Sequence, residues 1–240
     1  MWYFTADLHL NHPNILKYSR RMFLSHTECR LAEMADEGLI PMGEVVVSEQ
    51  STRRMTEHII ESINAVVSPS DSLVIAGDFC MAPVGVRQEI VARMRAMINC
   101  ENLYLILGNH DDRAACAANM VCLDNYTFNV QGQQVFVSHY PCRSWNMSLR
   151  GSWMLYGHAH GSLSQEDSNG YCASELDEVR RKFLMRTSDA RFVDDLLLDM
   201  ISSRRRLKTL DVGVDARSTD VRFGTPWSFD EIRKYMSTIS

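Results

Sequence analysis

Short apolar runs alternate with amphipathic segments along the first two thirds of the chain. The runs Trp2 to Ala6, Ser72 to Ala76 and Leu103 to Leu107 have the length and composition of buried strands. Between them, apolar residues recur at helical spacing from Met55 to Val67 and from Val86 to Ile98. Strands that alternate with helices predict an α/β fold in which the helices pack on a sheet.

A hairpin is predicted after the third strand. Thr127 to Val130 and Gln134 to Ser138 are strand-like, and the turn Gln131-Gly132 joins them. Another short apolar run, Met154 to Tyr156, follows later in the chain. Strand and helix alternation followed by a hairpin predicts a mixed sheet.

Each of these strand runs ends in a polar cluster. The clusters are Asp7-Leu8-His9, Gly77-Asp78, Gly108-Asn109-His110-Asp111, His139 and Gly157-His158-Ala159-His160-Gly161. Each cluster alone is a weak signal, because polar turns after strands are common. Together they are carboxylate, amide and imidazole groups without a thiolate, which suit divalent transition metals. Because α/β folds place their sites at strand ends, the joint pattern predicts a two-metal hydrolytic site.

The order of these motifs resembles the calcineurin-like metallophosphoesterase superfamily, whose pattern is D-x-H, G-D, G-N-H-[DE], a lone His and G-H-x-H. Every ligand position of that pattern is filled here. The resemblance covers most of residues 1–161, resumes at Leu210 to Asp215, and is to the small stand-alone bacterial and phage members. It implies a four-layered α/β/β/α sandwich, formed by a single domain over residues 1–240 with insertions at about 24–51 and 162–208.

The resemblance also implies how the ligands divide between two ions. Asp78 is the bridging carboxylate; Asp7, His9 and His160 lie with one ion, and Asn109, His139 and His158 with the other. The implied reaction is attack by a hydroxide held between the ions, with His110 as general acid to the leaving group. Nitrogen and oxygen ligands favour Mn²⁺, and they leave Fe, Zn²⁺, Ni²⁺ and Co²⁺ open.

Five further residues near these motifs are candidates with two interpretations each. Asn11 and His12 follow the first motif, and Arg143 and Arg150 flank Trp145 in the loop before His158. All four are candidate substrate contacts, and the alternative for each is ordinary loop structure. Asp111 is either a turn cap or an orienting partner for the His110 imidazole.

The residues around the ligands narrow the choice of phosphoester. Phe79-Cys80-Met81 follows Asp78 where Ser/Thr protein phosphatases have Asp-Arg-Gly, and Asp111 stands where they have Glu. These differences argue against a protein phosphatase. Because small members of the superfamily commonly cleave phosphodiesters, the resemblance implies, as the leading hypothesis, a phosphodiesterase acting on nucleotide-type substrates. The alternatives are a nuclease on DNA or RNA ends, a phosphomonoesterase, and a metal-bearing binding scaffold without catalysis.

The composition of the chain indicates which binding partners and which cellular compartment to expect. The formal net charge of −5 gives no global basic field to attract nucleic acid, which argues mildly against the nuclease. Seven cysteines without a C-x-x-C pair suit a reducing compartment. No run is long and apolar enough to cross a bilayer. We therefore expect a cytoplasmic protein that has a nucleotide or oligonucleotide phosphoester as partner and no membrane.

The insertion at about 162–208 has the clearer helical pattern of the two insertions. Glu175 to Met185 and Phe192 to Ile201 carry apolar residues at helical spacing. The plainer interpretation is a helical hairpin packed on the domain, and the alternatives are a substrate lid or an oligomer contact.

Overall fold

The computed structural model describes residues 1–163, 180–182, 184–185, 190–194, 207–217 and 222–239. The helices predicted at Glu175 to Met185 and Phe192 to Ile201 lie mostly outside these ranges. In the described part of the chain, no helix is both long and apolar enough to cross a membrane.

The first sheet has five strands. They are β1 (Trp2–Thr5), β2 (Ser72–Ile75), β3 (Asn102–Ile106), β4 (Val121–Leu123) and β9 (Trp227–Ser228). Their order is β4-β3-β2-β1-β9, with β9 antiparallel to β1 and the other neighbours parallel. The three strands predicted from the apolar runs are confirmed. The short strands β4 and β9 lacked a comparable run and were missed.

The second sheet has four strands in sequence order. They are β5 (Asn125–Val130), β6 (Gln133–Ser138), β7 (Trp153–Tyr156) and β8 (Thr209–Asp211). The β5–β6 pair is the predicted hairpin, and both turn residues, Gln131 and Gly132, have the positive φ that a tight hairpin turn requires. The strands β6, β7 and β8 are parallel.

Six α-helices whose two ends both lie in the described residues accompany the two sheets. They are α1 (Pro13–Tyr18), α2 (His26–Asp36), α3 (Glu49–Val66), α4 (Arg87–Ala96), α5 (Arg113–Ala117) and α6 (Phe229–Thr238). The two helices predicted between the strands of the first sheet are confirmed as α3 and α4, but α3 begins earlier than its predicted start at Met55. The reason is the cap, since the Ser48 hydroxyl accepts a hydrogen bond from the Ser51 N–H.

The first sheet is buried on both faces. One face packs Leu73, Ile75 and Leu105 against helix residues that include Ile59 and Ile63. The other face meets the second sheet, whose inward side chains form one apolar cluster with it: Phe4, Val74, Ile106, Val135, Val137 and Leu155. Helices, sheet and sheet are therefore stacked in that order, and the α/β class is confirmed.

The fourth layer of the expected sandwich is not confirmed. The outer face of the second sheet buries Trp145, Met154 and Tyr156 in a small cluster. Most of the 162–208 segment, which follows β7 in the chain, lies outside the described residues. The other insertion contributes Leu24, Ala32 and Val45 to the core on the helix side.

The parallel strands of both sheets end at one common edge. There, Ala6 forms a bridge with Gly213, which follows β8, so the carboxyl end of β1 is joined to the second sheet. A second bridge joins Leu10 to Cys80, beyond the ends of β1 and β2. The polar clusters that follow the strands are thereby brought together.

Candidate metal centre

The backbone turns sharply at most of the predicted ligands. Five of the seven have a left-handed φ although none of them is glycine: Asp7 55°, His9 48°, Asp78 56°, His158 67° and His160 49°. Each such residue costs on the order of 1–3 kcal/mol and persists where the surrounding structure imposes it. The turns direct these side chains to the shared edge of the two sheets, and strain of this kind concentrates at functional sites.

The donor atoms of the predicted ligands form two overlapping groups. Asp7, His9 and His160 offer atoms that all lie within 4.8 Å of one another, and so do Asp7, Asp78 and His139. Asp78 Oδ2 lies 3.4 Å from His9 Nε2 and 3.5 Å from His139 Nε2. The Asp78 carboxylate is thus between histidines that the resemblance assigns to different ions, where a bridging ligand has to be.

Asn109 connects the remaining predicted ligands. Its Oδ1 lies 2.9 Å from His139 Nε2 and 3.1 Å from His158 Nδ1. The three residues are the ones assigned to the second ion, and the tertiary structure brings them together from the ends of β3, β6 and β7.

The hydrogen bonds of two histidines fit a cation. His139 Nδ1 is 2.9 Å from the Ala76 carbonyl, which can only accept, so Nδ1 carries the proton. The lone pair of Nε2 then faces two other acceptors, Asp78 Oδ2 and Asn109 Oδ1, as ligands do around a cation. His9 Nε2 is buried and has no hydrogen-bond partner among the described residues, although buried polar atoms are nearly always paired. An unpaired imidazole nitrogen beside a buried carboxylate is what a metal ion would satisfy.

Burial dominates the electrostatics of the ligands. It raises the pKa of Asp7 to about 8, against the opposing effect of His160. Burial also lowers the pKa of His9, and the Arg21 charge adds to this shift. Both ligands therefore disfavour their charged forms, and a bound cation would restore the charge of the Asp7 carboxylate.

Two glycines permit the close packing of the ligands. A Cβ at Gly77, where φ is +95°, would lie 2.1 Å from His139 Nδ1. A Cβ at Gly108 would lie 2.2 Å from Asp78 Oδ1. The glycine of each motif is therefore needed because a ligand occupies the space of its side chain.

His110 lies beside the ligands with an exposed side chain. Its backbone N–H donates to Asp78 Oδ1 at 3.0 Å, and its ring centroid is 5.3 Å from that of His9. Asp111 accepts from three backbone N–H groups, those of Gly108, Asp78 and Phe79. The structure thus supports Asp111 as a turn cap, and this cap holds two ligand loops together.

The predicted substrate contacts have different surroundings. Asn11 donates its backbone N–H to Thr56 and its side-chain amide to the Met81 carbonyl, so it has a clear structural role. His12 Nδ1 lies 3.2 Å from His9 Nδ1, directly beside a predicted ligand. Arg143 and Arg150 are exposed on the segment before β7. Substrate contact by these four residues stays a prediction.

Three residues at the site were not assigned a role from the sequence. Asp211 accepts from the Gly161 and Gly213 N–H groups, and thereby holds the loop after His160. Asp215 forms a hydrogen bond with His160. Arg21 donates hydrogen bonds to Asp215 and to the Asp7 carbonyl. Asp211 ends β8 and Asp215 follows it, so the two carboxylates stand at a strand end as the predicted clusters do. Arg21 follows α1 in an ordinary loop and gives no signal.

Comparison with known proteins shows the fold but not the activity. No family model matches the chain, and no curated protein matches it. The crystal structure of the protein of unknown function AQ665 from Aquifex aeolicus matches with a TM-score of 0.55 and 17% identity, over 98% of each chain. The phosphoesterase Yfce from E. coli matches with a TM-score of 0.32 and 14% identity, over 66% of this chain and 69% of Yfce. The AQ665 match shows a shared fold along almost the whole chain, whereas the Yfce score is too low to support an argument.

Proposed function

We propose that the protein is a phosphoesterase of the calcineurin-like type that requires two divalent transition-metal ions. The observation that carries the proposal is the convergence of Asp7, His9, Asp78, His139 and His160 in two overlapping groups of donors at one edge of the two sheets. The unpaired, buried Nε2 of His9 supports a cation at this place.

The charge of the ligand set suits a phosphate ester. Two divalent ions about 3.5–4 Å apart supply, when bound, an activated nucleophile and positive charge for the phosphoryl oxygens. Asp7 and Asp78 would neutralise two of the four positive charges, while Asn109 and the four histidines stay neutral. The loaded site would therefore keep a net charge of about +2 before the hydroxide is formed and about +1 with it, and this positive charge attracts an anionic substrate.

His110 is proposed as the general acid. Its exposed imidazole lies beside His9, and its backbone is fixed by the hydrogen bond to Asp78. A histidine in this position can give a proton to the leaving oxygen, which is worth about 10²–10⁴-fold in rate.

Within this class, we propose a phosphodiesterase acting on nucleotide-type substrates. The resemblance to small stand-alone members supports this choice, as does the sequence after Asp78, which lacks the continuation found in protein phosphatases. The Tyr140 ring also supports it, because it is 48% exposed and its centroid lies 4.5 Å from that of His158. An exposed aromatic ring beside the site offers a nucleobase a surface for stacking.

The test compares a phosphodiester with a phosphomonoester. Metal-stripped protein is reconstituted with Mn²⁺ and assayed with bis-p-nitrophenyl phosphate and p-nitrophenyl phosphate. We expect preferential hydrolysis of the diester and its loss in Asp78→Asn, because that variant removes a charged ligand between the two ions. Asp124→Asn, at an exposed ion pair with Arg113, is the matched control and should keep full activity.

Each other outcome changes the assignment. Preference for the monoester would replace the phosphodiesterase with a phosphomonoesterase. Activity that persists in Asp78→Asn would show a contaminant or a different site. Absence of turnover on both esters with metal bound would favour a binding scaffold.

A further inference from the structure

Among the described residues, the shortest polar contact of a predicted ligand joins His160 to Asp215. Its Oδ2 lies 2.6 Å from His160 Nδ1, and its side chain is 4% exposed. Because Arg21 donates to both oxygens of Asp215, the carboxylate is an acceptor for the Nδ1–H of His160, which leaves His160 Nε2 with a free lone pair.

Arg21 holds Asp215 from the other side. Its guanidinium, which is fully buried, donates to both oxygens of Asp215, at 2.9 and 2.7 Å. The same guanidinium donates to the Asp7 carbonyl at 2.7 Å and to the Leu8 carbonyl at 2.9 Å. Arg21 thus connects the support of His160 to the backbone of the first ligand motif, where Asp7 has its left-handed φ.

A buried ion pair of this kind needs an explanation beyond stability. Burying two charges costs several kcal/mol in lost hydration, and well-packed apolar residues often stabilise a fold as well or better. Arg21 instead divides its donors between Asp215, which holds His160, and the backbone of the loop that carries Asp7. The ion pair is therefore arranged to orient ligands.

We infer that Arg21 and Asp215 are a positioning pair for the ion held by Asp7, His9 and His160. This inference rests on the proposed function. Asp215 fixes the proton of His160 on Nδ1 and directs Nε2 to the ion. Arg21 holds Asp215 at a fixed position relative to the turn that carries Asp7. Neither residue touches the ion or the substrate. Outer partners of this type commonly change metal affinity by about 10–100-fold.

The test measures metal binding instead of turnover. Metal-stripped wild-type protein, Asp215→Asn and the control Asp124→Asn are titrated with Mn²⁺ by calorimetry. An asparagine can present its amide N–H₂ to His160 and so favour the wrong tautomer. We expect Asp215→Asn to weaken one of two sites by about 10–100-fold and to leave the other unchanged, while Asp124→Asn matches the wild type.

A second measurement uses the wild-type protein, so it does not depend on whether the variant folds. Nitrogen-15 NMR of protein loaded with Zn²⁺, which is diamagnetic, reports which ring nitrogen of His160 carries the proton. We expect a proton on Nδ1 and metal on Nε2, and metal on Nδ1 would overturn the inference.

The outcomes separate this inference from the proposed function. If the wild type binds no metal, the proposed function fails first. If the wild type binds two ions and Asp215→Asn binds both with unchanged affinity, only the positioning pair is wrong. Equal weakening at both sites would also overturn it, because it would show a general loss of structure instead of the orientation of one ligand.

Discussion

Two histidines at this site, His9 and His110, differ in how far they are buried. His9 is 2% exposed and its Nε2 is unpaired, whereas the neighbouring His110 is exposed and only its backbone is bound to a ligand. A buried imidazole with a free nitrogen suits a ligand, and an exposed imidazole that can exchange protons with solvent suits an acid. Environment therefore separates two roles that the residue type leaves open.

The role of His110 is tested with esters of different leaving groups. We expect His110→Asn to keep its metal content and to lose about 10²–10⁴-fold in kcat on a diester with an alkoxide leaving group. The loss on bis-p-nitrophenyl phosphate should be much smaller, because p-nitrophenolate leaves without a proton. Metal analysis and steady-state kinetics on both esters measure this difference.

The control for this prediction is His26→Asn, which replaces an exposed histidine at the start of α2. It should match the wild type on both esters. An equal loss on good and poor leaving groups in His110→Asn would remove the general-acid assignment.

At the scale of elements, one carboxylate caps two helices. Glu28 completes a capping box with Ser25 at the start of α2 and accepts the Ser48 N–H, at 2.6 Å, at the cap of α3. It also accepts the Ser51 hydroxyl at 2.7 Å. Burial raises the pKa of Glu28, but these hydrogen bonds outweigh burial and lower it to about 2. The charged form of Glu28 is therefore tied to the folded state.

This capping predicts a pH-dependent stability. Because the pKa of Glu28 is lower in the folded chain than in the unfolded one, its contribution is full above about pH 4.5 and is lost as the pH falls towards 2. We expect Glu28→Gln to lower the free energy of unfolding by about 2–3 kcal/mol at pH 7. Urea unfolding at pH 7 and pH 3 measures the difference, which should shrink at the lower pH.

Glu33→Gln is the matched control, since Glu33 lies exposed on the same helix. It should change the free energy of unfolding by less than about 0.5 kcal/mol, as is usual for surface substitutions. A Glu28→Gln effect of the same size at both pH values would show that the charge of Glu28 is not what stabilises the caps.

At the scale of the whole molecule, the two sheets meet at an edge that collects buried carboxyl groups. Asp7, Asp78, Asp211 and Asp215 are all buried there, and burial raises the pKa of Asp7 and of Asp211. Arg21 pairs with Asp215, whereas Asp7 and Asp78 face the predicted metal positions. Bound cations would therefore offset the charge of these carboxylates and stabilise the junction of the two sheets.

Removal of the metal should accordingly lower the thermal stability. With Mn²⁺ at about 1,000 times its Kd, binding adds about 4 kcal/mol at each site, so two sites add about 8 kcal/mol and raise the Tm of a chain of this size by roughly 20 °C. Calorimetric scans of metal-stripped protein with and without Mn²⁺ measure the shift. It should be much smaller in Asp78→Asn, and an unchanged Tm in the wild type at saturating Mn²⁺ would contradict a metal site at the sheet junction.

The sequence by itself determined the features that depend on neighbouring residues. The apolar runs at Trp2, Ser72 and Leu103 identified β1, β2 and β3, and the Gln131-Gly132 turn identified the hairpin. The polar clusters identified the residues that meet at the edge. Such features are predictable because strand period, helix period and turn conformation are set by a few consecutive side chains.

The tertiary structure decided what those residues contact. Arg21 and Asp215 are 194 positions apart, and neither has a local pattern that relates it to the other. Likewise, His12 lies against His9, and Asp111 caps the Asp78 loop instead of orienting His110. Such contacts depend on which sheet faces pack together and on where parallel strands end relative to one another. Those relations are fixed only when the whole core is formed, because each one joins segments that are distant in the chain.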